Sequence, residues 1–205
     1  MARYFARIVR ALIVNTLGFG GGCGLLVFIF TLVLKQKTDP HALQFGLQAS
    51  LQAGLQAGLV IGLMSSFILV AVCVLIDLTT HLFLAKGLYK EIWELEQTRD
   101  VVAAGTVKEV MQATRQALLT VPNIKNVSDD VEHLITRAST GASWRSPGEE
   151  MEVEINPIQE NTWKLKCTSR SSTKNAVFDY GKNYENVEVW QKNVHEILKS
   201  GATPA

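Results

Sequence analysis

The sequence predicts an α-helical membrane hairpin of two transmembrane helices followed by a cytosolic α+β domain, ordered helix, antiparallel sheet, helix. Three observations predict it. Residues 11–34 and 42–76 of the 205-residue chain carry no charged side chain, and apolar runs beyond about 18 residues read as bilayer spans. Every acidic residue except Asp39 and Asp77 lies beyond residue 85, so a polar part follows an apolar one. Within that polar part, residues 150–155 and 162–168 alternate apolar with polar positions, the period of a half-buried strand.

Residues 1–41 comprise a flank with Arg3, Arg7 and Arg10, the first span and a turn. As a helix, residues 11–34 rise about 36 Å, enough to cross a hydrocarbon core of roughly 30 Å. The run is too long for the core of a signal peptide, and no polar sequel follows its small residues. Gly18 with Gly22, and Gly20 with Gly24, repeat at a spacing of four, which in lipid marks close helix contact. The loop holds Lys35, Lys37 and a turn-forming Asp-Pro. Arginines before the first span, and Lys86 and Lys90 after the second, orient both termini to the cytoplasmic side of an inner (plasma) membrane.

Residues 42–85 join an amphipathic small-residue repeat to the second span, 59–84. Six tetrads, LQFG, LQAS, LQAG, LQAG, LVIG and LMSS, put a small residue at Gly46, Ser50, Gly54, Gly58, Gly62 and Ser66. Residues four apart share a helix face, so the row forms a smooth groove for another helix. It is expected to serve both antiparallel pairing with the first span and assembly into a homo-oligomer. Gln44, Gln48, Gln52 and Gln56 form a second row. Either 42–58 lies at or outside the outer interface with its amides in water, or the amides line a lumen or bond between subunits. The first is the simpler, because amides in hydrocarbon need partners. Asp77 and His81 lie one turn apart; about twenty residues from the start of the span reach Leu78, so they form an interfacial polar pair at the headgroups.

Leu88, Ile92, Leu95 and Val102 recur at a three-and-four spacing, which predicts a helical stalk over 86–105 ended by Gly105. The α+β domain is assigned to 106–199. Thr106 with Glu109 makes a capping box before a helix bearing Val107, Val110, Met111, Leu118 and Val121 inward, stopped at Pro122. Strands are expected at 124–127, 133–139, 150–155, 162–168 and near 176–178, with a turn beginning at Asn156-Pro157. Val153 opposite Leu165 would face Glu154 with Lys164 and Glu152 with Lys166. Asn183 is expected to cap a closing helix that buries Val187, Trp190, Val194, Ile197 and Leu198. Residues 200–205 are expected to form a disordered tail.

Chemistry is sparse. A net charge of +1 gives no basic excess for nucleic acid. There is no phosphate-binding glycine loop, no Cys-x-x-Cys, no His-Glu-x-x-His and no Gly-x-Ser-x-Gly. His41, His81, His133 and His195 are scattered over a loop, the interface, a strand and a polar helix face. Cys23 and Cys73 fall in the spans and Cys167 on an apolar strand face, so they read as buried hydrophobes in a reducing compartment. No catalytic residue, metal or cofactor is expected.

The runs GASWRSPGEEMEVEI, CTSRSS and FDYGKNYENVEVW within 106–199 resemble an uncharacterised bacterial family of small, often membrane-associated domains ending in Asp-x-Gly-x-Asn and a helix. Asp179, Gly181 and Asn183 occupy that signature. The resemblance implies a turn and an N-cap and brings no reaction. The expected function is non-enzymatic: a bacterial inner-membrane protein that self-assembles through its glycine rows and carries a cytosolic binding or sensing domain. Two further readings are an oligomeric pore gated by the domain, with the glutamines facing a lumen, and an accessory subunit docked on a membrane-protein partner.

Overall fold

The computed structural model describes residues 2–38, 43–84, 94–174 and 176–200. The chain forms two compact units, Met1–Ile76 and Asp77–Ala205. The first consists of helix α1 (Ala2–Thr38) and most of helix α2 (Leu43–Leu84). Each holds a stretch long and apolar enough to cross a membrane, Tyr4–Lys37 and Gly46–Thr80. Helix α2 is unbroken through residue 58, so no separate amphipathic helix precedes a span. Glycine weakens a helix in water by about 1 kcal/mol, but here the glycines let two backbones touch.

That contact is an antiparallel seam. A Cβ added at Gly20 would lie 2.5 Å from the carbonyl oxygen of Gly58, and one at Gly24 would lie 2.7 Å from that of Gly54. The reverse distances, from Gly58 and Gly54, are also 2.5 and 2.7 Å, and Gly62 meets Thr16 and Gly20 equally closely. All six small residues from Gly46 to Ser66 are buried. Ser50 and Ser66 have no side-chain hydrogen-bond partner among the described residues, so they serve by size. Within this chain the occupant of the groove is α1. Gly18 and Gly22 stay outside the seam with nothing within 4 Å of an added Cβ, because 100° per residue carries them to the other side of the helix.

The second unit contains β1 (Gln97–Ala104), α3 (Val107–Leu119), β2 (Ile124–Asp130), β3 (Ile135–Thr140), β4 (Glu149–Gln159), β5 (Thr162–Ser171) and α4 (Lys182–Ser200). The five strands form one antiparallel sheet in the order β1-β5-β4-β3-β2. Helix α4 packs over β1 and β5 and α3 over β2 and β3, the two helices also touching each other. The core between helices and sheet holds Val110, Leu118, Met151, Val153, Leu165, Cys167, Val187, Trp190 and Val194. The capping box forms as read, with Thr106 and Glu109 bonding reciprocally.

Several expectations are corrected. Residues 97–104 of the expected stalk are strand β1; Val102 points outward while Val101 and Ala103 are buried, a period of two imposed by pairing with β5. The rest of that segment, 85–93, lies outside the described residues, as do His41 and the tail 201–205. Residues 176–178 form no strand and His133 sits in a turn. β4 runs past Pro157, and the chain reverses at Glu160 and Asn161, the latter at φ 53°. The register is therefore displaced by two: Val153 faces Cys167, Glu154 faces Lys166 and Ile155 faces Leu165. A displacement of two keeps every side chain on its expected face.

Candidate functional site

At the end of the sheet where β4 begins and β5 finishes, the second unit buries a run of polar side chains. β4 opens with Glu149, which has the same parity as Met151, Val153 and Ile155 and so points inward, 1% exposed. Its carboxylate accepts bonds from Thr140 Oγ1 at 2.5 Å and from Ser146 Oγ. Its backbone N–H donates to Thr140 Oγ1 at 2.8 Å. Burial pushes the Glu149 carboxyl above the ordinary range; the Thr140 bond, the Lys182 charge and an Asn186 bond oppose that rise.

From α4, Asn186 Nδ2 donates to Ser169 Oγ at 3.3 Å, and Ser169 Oγ donates to Asn183 Oδ1 at 2.7 Å. Asn183 Nδ2 donates to Asp179 Oδ2 at 2.8 Å. Ser169, Asn183 and Asn186 are fully buried. Asn186 Oδ1 has no partner among the described residues. Lys182, also buried, donates to Glu185 at 3.1 Å, and Arg145 bonds the same carboxylate.

The turn into α4 departs from expectation in one respect. Helix α4 starts at Lys182, so Asn183 lies inside its first turn. The anion at the helix head is Asp179, which accepts from the N–H of Gly181 at 3.2 Å and of Asn183 at 3.1 Å. A carboxylate there satisfies helix donors that have no partner within the helix. This frees the Asn183 amide to reach β5. Tyr180 at φ 46° and Gly181 at φ 71° make the tight bend. Burial raises the Asp179 carboxyl, against the lowering effect of these bonds. Above the bend, Trp144 stacks on Tyr180 at 6.1 Å and Tyr180 on Phe178 at 5.8 Å, with Trp144 itself 75% exposed.

The cluster unites the loop 141–148, the end of β5 and the DYGKN turn, the segments that carried the family resemblance. Sequence reasoning found Asp179, Gly181 and Asn183 but missed Glu149, Ser169, Lys182 and Asn186. For Glu149 and Ser169 the signal was present, since both continue an inward-facing parity with a polar side chain. On the other face, Glu150 pairs with Arg170, Glu152 with Arg137 and Glu154 with Lys166, around an open depression of about 450 Å³. In the first unit, Gln48, Gln52 and Gln56 are exposed. Asp77 is 2% exposed, while the side chains of Gln44 and His81 lie outside the described residues. No group of three His, Cys, Asp or Glu that could hold a metal occurs among the described residues.

No protein-family model matches this chain, and no curated protein is similar to it in sequence. Solved structures similar to it include a START superfamily protein from Mycobacterium smegmatis, with TM-score 0.39 and 9% identity over 52% of this chain and 99% of that one. A protein from Thermus thermophilus gives TM-score 0.38 and 12% identity over 53% and 99%. Norcoclaurine synthase from Thalictrum flavum gives TM-score 0.35 and 6% identity over 58% and 96%.

Proposed function

We propose that this chain is a non-enzymatic protein of the bacterial inner membrane whose α1–α2 hairpin crosses the bilayer twice, both termini in the cytoplasm. Its α+β domain is a cytosolic binding or sensing module, and the ligand is met at the polar cluster around Glu149 and Asn186. The observation that carries the reading is the convergence of three distant segments on one buried polar cluster. Glu149 and Asp179 are each held by several hydrogen bonds, which supports a positioning role for them over catalysis. The acceptor of Asn186 that lacks a partner favours a ligand bearing an N–H or O–H donor.

Two measurements test this. Protease added to inverted membrane vesicles is expected to digest the domain, and protease added to spheroplasts to leave it whole; the opposite pattern rejects the topology. Thermal melting of the full chain in detergent against a set of small polar metabolites should reveal a stabilising ligand. Saturation at a hundred times Kd adds about 2.7 kcal/mol. Asn186→Ala should abolish that gain, and a gain that survives it would put the ligand elsewhere.

A further inference from the structure

We infer that the side of α2 bearing Gln48, Gln52 and Gln56 is the surface on which a second copy of this chain docks, amide to amide within the bilayer. The inference rests on the membrane reading above and deepens it.

The register of the hairpin carries the argument. Gly24 meets Gly54 and Gly58, Phe28 lies against Gly54, and Lys35 lies beside Gly46. Gln56 therefore stands level with Gly24 and Gln52 level with Phe28. The three glutamines are exposed, each two residues on from Gly46, Ser50 or Gly54. Two residues turn a helix by about 200°, so they face away from α1. At the same levels α1 presents Leu25, Leu26, Ile29, Phe30 and Val33, which are 48–68% exposed. A hydrocarbon slab set to leave the glutamines in water would leave these five in water as well. A slab centred between Arg10 and Lys35, the charges that bound the uncharged stretch of α1, takes in Gln52 and Gln56 and reaches Gln48.

Inside that slab an amide has no water to bond and must find a protein partner. A glutamine amide both donates and accepts, so the row is complementary to itself. Copies inserted with one topology pack about an axis normal to the membrane. Each glutamine then meets its own counterpart at equal depth. The groove of small residues is closed to this role because α1 fills it. The back of α2 is open.

The test uses the full chain with Cys23→Ala and Cys73→Ala; Cys167 remains, being buried in the core. Gln52→Cys, oxidised in native membranes, is expected to give a disulfide-linked dimer. Phe30→Cys, at similar depth on the outward side of α1, is expected to stay unlinked, and linking it as readily overturns the choice of face. In mild detergent, light scattering should report an oligomer for the natural sequence. The combined Gln48→Leu, Gln52→Leu, Gln56→Leu variant should report a monomer with the melting temperature of the domain unchanged. A variant that keeps the oligomeric mass overturns the inference, as does a foreign protein cross-linked at Gln52→Cys. Carbonate washing separates the layers of the argument. Release of the chain rejects the membrane reading and the interface with it; retention, with the Gln52→Cys thiol labelled by an impermeant maleimide, rejects the interface alone.

Discussion

Glu149 is an acid on the apolar side of a strand, and its chemistry follows from that position. The folded chain holds its carboxyl above the ordinary range, mainly through burial. The folded state thus binds the proton more tightly than the unfolded state does. The stability it contributes is fully present below the ordinary carboxylate range and is lost as pH rises through the raised value. Glu149→Gln cannot ionise, so its melting temperature should gain on that of the natural sequence over an interval of pH. That interval opens near about pH 4, where the unfolded chain's carboxyl ionises, and closes at the raised value of the folded one. Melting curves across that interval check it; a constant difference would mean the carboxyl titrates as it does in water. The position was legible in the sequence through parity alone. Lys182 and Asn186 were not, because a helix that buries both apolar and polar residues offers no such contrast, and the partner of Asn186, Ser169, lies on β5.

Among the elements, the helix seam and the β4–β5 ladder show which information is local. A small residue every fourth position identified the face of α2 that α1 covers, since the period of the helix fixes it. Which of two glycine pairs on α1 would answer could not be read, because both have the same spacing. The structure selects Gly20 and Gly24. Gly58→Ala should therefore force the backbones apart and cost about 1–3 kcal/mol, as overpacking does in a tight core. Gly18→Ala meets open space and should be neutral or stabilising by up to about 1 kcal/mol. Unfolding in mixed micelles, followed by circular dichroism, checks the pair; equal effects would dissolve the distinction between the two rows. In the ladder, alternation gave the faces correctly, yet the register depended on where the chain reversed. Asn156-Pro157 carried the stronger turn signal, but pairing with β5 continued past it to Gln159. The left-handed Asn161 closed the loop instead.

At the level of the whole molecule, the division into a hairpin and a domain was read directly from the distribution of charge. The boundary was not. β1 offers only Val101 and Ala103 as buried apolar residues, with Gln97 on the same side, too weak a pattern to outweigh a helical spacing of leucines. Its identity comes from β5, more than fifty residues later. The buried members of the domain core lie between Val101 and Val194, all within the second unit. Heating the chain in detergent should accordingly unfold the domain in one cooperative transition while α1 and α2 keep their helical signal. The near-ultraviolet signal of Trp190 should vanish with far-ultraviolet helicity largely retained. Simultaneous loss of both would mean a single cooperative unit.

A seam made of repeated tetrads invites slippage, for sliding α2 one turn along α1 replaces leucine with leucine and glycine with glycine over most of its length. The serines prevent it. Gly20 now sits between Gly58 and Gly62, and Gly24 between Gly54 and Gly58. One step in either direction would bring Ser66 against Gly20 or Ser50 against Gly24, placing a side chain where backbone atoms stand less than 3 Å from any added carbon. Three glycines bracketed by two serines thus act as a detent. They hold the helices at one setting of a scale whose marks are otherwise nearly identical.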